Sequence, residues 1–101
     1  MLLYMTCANL TEAKLIATHL VESKLVAGVN ILPEIYSIYR WQNQVHQTSE
    51  VVMFAQAPSI NFSAISEAVK SLHSYQNPCI IALSIAQGTP EFLQWIADKG
   101  C

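Results

Sequence analysis

The residues of this chain with the clearest potential for chemistry are its cysteines and one histidine. Cys7 and Cys79 lie far apart in the sequence, and either could meet His73 once the chain folds. A Cys-His pair can act as nucleophile and base, but a reactive thiol needs an accessible, electropositive setting. Both cysteines lie in apolar runs, and there is no Gly-rich phosphate loop, GxSxG turn or HExxH motif. The sequence therefore predicts that the chain is not an enzyme.

The cysteine pattern also bears on the compartment. The third cysteine is Cys101, and no two of the three form a CxxC pair. The first residues, MLLYMTCANLTE, have neither a basic region nor a small-residue cleavage site, so they predict a strand rather than a signal peptide. Reduced thiols in the cytoplasm are the expectation.

The elements that must position these residues follow from periodicity and turn signals. Residues 2–7 predict an apolar strand, and Asn9 with Glu12 has the spacing of a helix capping box. Apolar residues at helical spacing predict helices over residues 10–24 and 62–74. Residues 79–86 are apolar on both faces, which predicts a central strand. Pro90 at a first helical position, preceded by Thr89 as its cap, predicts a short C-terminal helix.

Between the helices lies the most informative stretch, residues 28–57. It predicts two long strands around a turn at Gln42-Asn43-Gln44, and Pro33 indicates a bulge or a sheet edge. A chain of 101 residues is too small to cover such a hairpin by itself. We therefore predict a homo-oligomer in which another copy covers it.

Composition favours assembly and excludes other classes. Apolar residues make up 52% of the chain and charged residues only 12%, against a usual charged share of about 25%. The apolar runs are far shorter than the roughly 18 residues of a membrane span, so no membrane association is expected. The net charge is −2, and the five basic residues are scattered, which argues against a nucleic-acid partner.

The order of predicted elements is β-α-β-β-α-β plus a terminal helix. This order is typical of the α+β class, and specifically of the ferredoxin-like fold. We predict one domain over residues 1–101, with a long hairpin between its second and third strands and a short C-terminal helix. Because this fold hosts many activities, it does not identify the function.

Several short pieces, in their order and spacing, resemble the CutA family of divalent-cation tolerance proteins over nearly the whole chain. A His-Pro-Tyr-x-x-Pro signature of that family corresponds here to His73, Tyr75 and Pro78. The other matching pieces are Leu20-Val21-Glu22, Leu25-Val26-Ala27, Val29-Asn30-Ile31-Leu32-Pro33, Ser37-Ile38-Tyr39, Trp41, Glu50-Val51, Gly88, Phe92-Leu93 and Trp95.

The resemblance implies a trimer whose hairpins pair with neighbouring subunits, and a role in tolerance of metal ions, especially copper. The copper ligands read in bacterial members, a Cys and a His-His pair, fall here on Met5 and on Leu72-His73. Soft sulfur with imidazole suits Cu(I), and Cys7 shares the strand face of Met5 and could substitute for it. The resemblance thus implies weak binding of copper or another divalent cation through His73 and Met5 or Cys7. Core packing of the two sulfur residues, and a helix-end role for His73, are the alternatives.

The family's architecture is similar to that of the PII signalling proteins, which bind small ligands in clefts between subunits. Glu50, Tyr39, Trp41 and Tyr75 are the candidate lining of such a cleft, with interface packing as the alternative. Gln56 and Cys79 stand where the family commonly carries Lys and Glu, so a less charged cleft is expected. The alternatives to metal tolerance are therefore a PII-like ligand-binding module and a protein scaffold.

Overall fold

The secondary structure follows the predicted order closely. The computed structural model describes residues 1–100, and Cys101 lies outside this range. In chain order the elements are β1 (Leu2–Cys7), α1 (Leu10–Glu22), β2 (Gly28–Trp41), β3 (Gln44–Gln56), a 3₁₀ turn (Ser59–Asn61), α2 (Phe62–Leu72), β4 (Ile80–Leu83) and α3 (Pro90–Lys99). The α+β assignment and the ferredoxin-like arrangement are confirmed.

The four strands form one antiparallel sheet in the order β2-β3-β1-β4. The pairing of β1 with β3 places Met5 opposite Met53 and Cys7 opposite Val51. β4 pairs only with residues 2–5 of β1, ending at the pair Met5–Ile80. The prediction of a central strand over residues 79–86 is wrong, because β4 is short and lies at the sheet edge. Its apolar residues are not buried within this chain, and Ile81 and Leu83 are each half exposed.

One face of the sheet carries the core. Odd-numbered residues of β1 and β3 point to this face and pack with apolar residues of α1 and α2. The fully buried large side chains here include Leu3, Met5, Ile16, Leu20, Met53, Ile65 and Val69. Burial of such side chains is the main term stabilising a domain of this size.

The opposite face, here called the open face, carries the even-numbered residues of β1 and β3. On this face Tyr4 lies between Ile81 of β4 and Phe54 of β3, and the ring centroids of Tyr4 and Phe54 are 5.7 Å apart. At the other side of the face, the half-exposed Leu32 pairs with Val52. Trp95 of α3 reaches one end of this face, since a Cβ added at Gly28 would lie 3.0 Å from its ring. Val52 and Thr6 at the centre of the open face are buried, whereas the flanking Leu32 on β2 and Ile81 on β4 are half exposed.

The hairpin of β2 and β3 ends in a two-residue turn. Gln42 and Asn43 have φ of 51° and 61°, as both central residues of a type I′ turn require. Asparagine tolerates this left-handed conformation better than most residues, which explains how the turn forms without glycine. The register shifts between Leu32 and Ile35, and β2 is an edge strand, so both features indicated by Pro33 are confirmed.

The helix termini test two further sequence predictions. Asn9 accepts a hydrogen bond from the Glu12 N–H at 2.8 Å, which confirms the predicted cap of α1. Thr89 occupies the N-cap position of α3 with Pro90 following, but its side chain makes no capping hydrogen bond, so the predicted cap is wrong in that respect.

None of the helices within residues 1–100 is long and apolar enough to cross a membrane.

Candidate functional site

The two candidate sulfur ligands lie on the same face of β1. That face is the core face, and Met5 and Cys7 are both fully buried in the hydrophobic cluster. Burial, with the nearby carboxylates of Glu12 and Glu50, raises the pKa of the Cys7 thiol to about 12. The thiolate is the form that ligates metal, so this environment disfavours the ligating form.

His73 directly follows α2, and its side chain is buried. Its Nε2 atom lies 2.7 Å from the carbonyl oxygen of Thr6, and because a carbonyl only accepts, Nε2 is the donor. Its Nδ1 atom accepts a hydrogen bond from the N–H of Tyr75 at 3.0 Å. Both ring nitrogens are thus engaged, and neither offers a lone pair to a metal ion.

The carboxylate of Glu12 joins the start of α1 to the end of α2. It accepts from the N–H of Ala8 at 3.3 Å and from the hydroxyl of Ser74 at 3.0 Å. It also accepts from the backbone N–H of Ser74 and lies 3.7 Å from Nδ1 of His73. Burial alone would raise the pKa of Glu12, but the hydrogen bonds from Ser74 and Ala8 and the neighbouring His73 lower it overall. Glu12 therefore holds the residues around His73 in place.

These contacts allow a test of whether the predicted donor set fits copper. Within residues 1–100, no three or more His, Cys, Asp and Glu side chains form a group that could hold a metal ion. The sulfurs of Met5 and Cys7 are in the core, and the ring of His73 is fully hydrogen-bonded. In the described chain this set does not fit a copper centre.

The four predicted cleft residues are brought together. Tyr39, Trp41, Glu50 and Tyr75 line one pocket of about 440 Å³, here called the aromatic pocket. Side chains alternate along a strand, so Glu50, which precedes the core residue Val51, lies on the open face. Tyr39 and Trp41 lie on the same face further along the hairpin. Tyr75 comes from the segment between α2 and β4. The pocket therefore lies where the hairpin meets this segment, on the side of the sheet away from α1 and α2.

A short hydrogen bond organises the aromatic pocket. The hydroxyl of Tyr75 donates to Oε2 of Glu50 at 2.7 Å, and the two rings of Tyr75 and His73 pack with centroids 4.8 Å apart. Burial and the Glu50 carboxylate raise the pKa of Tyr75, so its hydroxyl remains a donor at neutral pH. On the hairpin, the hydroxyl of Tyr39 bonds that of Thr48 at 3.0 Å. These contacts fix two of the aromatic walls.

Four further residues complete the lining, namely Thr6, Gln76, Asn77 and Cys79. Sequence reasoning had already connected Cys79 with the cleft, as a position less charged than in the family, but it left Thr6 and Asn77 unassigned. The polar Gln76-Asn77 pair directly after Tyr75 was a usable signal, because it lies in the turn that carries the predicted aromatic residue. Nothing in the sequence indicated that Thr6 lines the pocket, because β4 stops pairing with β1 one residue earlier and this end point could not be read from the sequence.

The comparisons with known proteins agree on one family. The family model described as CutA1 divalent ion tolerance protein matches residues 1–99. A protein CutA homolog of Xenopus laevis is 44% identical over 95 residues, which cover 94% of this chain and 63% of that protein. A divalent-cation tolerance protein CutA of Archaeoglobus fulgidus is 42% identical, over 95% of this chain and 93% of that protein. The chain thus spans less than two thirds of the vertebrate relative and nearly all of the archaeal one.

The solved structures give the same result for the fold. A structure described as the periplasmic divalent cation tolerance protein CutA from Archaeoglobus fulgidus superposes with a TM-score of 0.95 and 38% identity, covering 98% of this chain and 96% of that chain. The Thermus thermophilus divalent cation tolerance protein superposes with a TM-score of 0.92 and 40% identity, covering 94% of this chain and 92% of the other. The predicted resemblance is confirmed, and the chain belongs to the CutA1 divalent ion tolerance family.

Proposed function

We propose that this chain acts as a homotrimer in tolerance of divalent metal ions, within the cytoplasm and without catalytic activity. The family assignment supports the tolerance role, since the relatives carry it in their names. The observation that supports assembly into a homotrimer is the apolar surface of the open face and the hairpin. Such a surface on a small chain is typical of an interface between subunits.

The exposed residues of the hairpin support the same assembly. Tyr36, Ile38 and Val45 are each about 70% exposed, and Trp41 is 55% exposed. The β4 edge adds the half-exposed Ile81 and Leu83. Tyrosine and tryptophan are the side chains most often found as anchors of interfaces. A second and third copy packed on these surfaces would remove them from water.

Weak copper binding through His73 with Met5 or Cys7 remains a prediction of the family resemblance. It requires one hydrogen bond of the His73 ring to open and a buried sulfur to become accessible. The geometry of the described chain therefore favours a tolerance role in which these three residues stabilise the fold. Direct binding of copper or another divalent cation by His73 with Met5 or Cys7 has to be measured.

Native mass spectrometry of the purified protein, with and without stoichiometric Cu(I) under reducing conditions, tests both parts. We expect a trimer. Uptake of one copper per subunit, lost in His73→Ala, would support the predicted donor set. A metal-free trimer would remove direct copper binding, and a monomer at micromolar concentration would overturn the assembly.

A second candidate function is a PII-like module that binds a small ligand. The observation that favours it is the aromatic pocket, whose volume lies within the range of about 300–1,000 Å³ usual for small-molecule sites. Trp41 lines this pocket, so ligand binding is expected to change tryptophan fluorescence. A panel of nucleotides, organic acids and amines tests it, and a flat response to the whole panel would leave interface packing or a scaffold role as the explanation.

A further inference from the structure

The aromatic pocket has an unusual balance of charge. Glu50 is the only carboxylate in its lining, and no lysine, arginine or histidine lines it in the described part of the chain. The remaining walls are the rings of Tyr39, Trp41 and Tyr75 with a few uncharged polar groups. The pocket therefore carries a single negative charge among aromatic surfaces.

The carboxylate keeps capacity for a ligand. The hydroxyl of Tyr75 occupies Oε2 of Glu50, while Oε1 accepts no hydrogen bond from residues 1–100. The single Tyr75 bond orients the carboxylate and leaves its other oxygen available to a ligand. An isolated carboxylate in a partly desolvated pocket attracts a positively charged partner more strongly than it would in bulk water.

The aromatic walls select among cations. A ring face attracts a cation that lies within about 6 Å of its centre, and groups of such rings bind alkylated ammonium ions. Hard divalent cations such as Ca²⁺ and Mg²⁺ instead take six or more oxygen ligands, from carboxylates, carbonyls and waters, and Zn²⁺ or Cu²⁺ needs several nitrogen or sulfur ligands. The pocket provides one carboxylate, and no cluster of three or more candidate metal-ligating side chains occurs within residues 1–100.

We propose that the aromatic pocket binds a small organic monocation of the alkylammonium class, with its charge against Glu50 and its apolar surface against Trp41, Tyr39 and Tyr75. The inference rests on the second proposed function, a ligand site in this pocket, and names the ligand class. A volume of about 440 Å³ accommodates such a cation together with a polar substituent, which Gln76 and Asn77 could bind.

The test uses the purified protein in its native assembly and two probes matched in size. Tetramethylammonium carries the charge, while tert-butanol is an uncharged molecule of similar shape. Calorimetric titration is expected to show that tetramethylammonium binds and that tert-butanol binds at least about tenfold more weakly. This difference is the scale of one cation–aromatic contact plus one charge pair. Equal binding of the two probes, or binding of neither, would overturn the proposal.

Two variants with the same change of charge locate the site. Glu50→Gln keeps an acceptor for Tyr75 and is expected to weaken tetramethylammonium binding about tenfold. Glu67→Gln, on the exposed side of α2, is expected to leave it unchanged. Retained binding in Glu50→Gln would overturn the assignment to this pocket.

The same titrations separate this inference from the broader functions. If tetramethylammonium fails but an organic acid or nucleotide changes the fluorescence of Trp41, the ligand class is wrong and the ligand-binding function stands. If Mg²⁺ or Cu²⁺ binds in a manner that depends on Glu50, a metal rather than an organic ion occupies the pocket. Neither result alters the family assignment or the proposed trimer.

Discussion

The Nε2 atom of His73 donates a hydrogen bond to the carbonyl oxygen of Thr6 across 2.7 Å. The ladder between β1 and β4 ends one residue earlier, at the pair Met5–Ile80. The imidazole thus satisfies a backbone acceptor that a longer β4 would otherwise have paired. Since Thr6 is buried, its carbonyl would be left without this hydrogen-bond donor, and with little water to replace it, if His73 were removed.

His73→Ala is therefore expected to lower the free energy of unfolding by about 1–3 kcal/mol, the usual cost of leaving a buried polar group unpaired. Denaturant titration at pH 7 measures the change. His19→Ala, on the exposed side of α1, is the matched control and is expected to change stability by less than about 0.5 kcal/mol. A His73→Ala variant of unchanged stability that had lost copper uptake would instead assign the ring to metal binding.

A second prediction concerns the carboxylate of Glu12, which accepts three hydrogen bonds from Ala8 and Ser74. Glu12→Gln keeps the shape but sets an amide N–H against one of these donors. We expect a loss of about 1 kcal/mol, as for removal of a good helix cap. Glu67→Gln serves as the control, because that exposed side chain on α2 undergoes the same change of charge.

The loss caused by Glu12→Gln should depend on pH. The pKa of Glu12 is lowered in the folded chain from its ordinary value of 4.5. A lowered native pKa stabilises the fold above the unfolded pKa, and this stabilisation disappears as pH falls through the native pKa. The difference between wild type and variant should therefore be full at pH 7 and shrink below about pH 4.5. A difference that grew on acidification would show that the carboxylate does not stabilise these contacts.

The sequence was sufficient for the elements whose cause is local. The Asn9–Glu12 spacing correctly predicted the cap of α1, and Pro33 correctly predicted an irregular edge strand. The turn predicted at Gln42-Asn43-Gln44 is found at Gln42 and Asn43, with Gln44 already in β3. In each case the determining interaction joins residues close in the chain, so the local sequence pattern is enough to predict the structure.

One local prediction failed, the side-chain cap at Thr89, but the larger failure concerns interactions between distant parts of the chain. The apolar run around β4 was read as a central strand because burial on both faces is the usual reason for such a run. In the described chain β4 is an edge strand, and its apolar residues are left exposed. An apolar pattern favours burial of a surface but does not say whether the same chain or another copy would provide it.

The candidate site divides in the same way. Four residues predicted to line a cleft do line one pocket, since the family resemblance gave their approximate places. The hydrogen bonds of the His73 ring could not be read from the sequence, because Thr6 is 67 residues away. Residue type alone therefore left metal binding and a structural role equally open for this histidine.

A third prediction uses the thiols. Cys7 is fully buried and the pKa of its thiol is raised to about 12. Burial and the Glu50 carboxylate also raise the pKa of the Cys79 thiol, but Cys79 is partly exposed in the aromatic pocket. Iodoacetamide at pH 8 should therefore label Cys79 roughly tenfold faster than Cys7 in the folded protein, since alkylation needs an accessible thiolate. Peptide mass mapping over time measures both rates.

Labelling in concentrated guanidinium chloride is the control, because Cys7 and Cys79 should then react at similar rates. Rapid labelling of Cys7 in the folded protein would contradict its burial and would make it available as a soft metal ligand. Slow labelling of both thiols would indicate that another subunit covers Cys79 in the assembly.

The last prediction separates the contribution of Trp41 within the chain from its contribution to assembly. Trp41 is 55% exposed near the end of the hairpin, so truncating it within a single chain removes little buried surface. If a neighbouring subunit covers the ring, Trp41→Ala should instead cost about 3–5 kcal/mol, the scale of a tryptophan truncated in a core. Sedimentation velocity over a dilution series measures this cost as dissociation at higher protein concentration. Ile60→Ala is the control, because Ile60 is 88% exposed and lies outside the hairpin. A Trp41→Ala variant that assembled as tightly as Ile60→Ala would show that the hairpin end is not an assembly contact and would leave its aromatic rings to the ligand pocket alone.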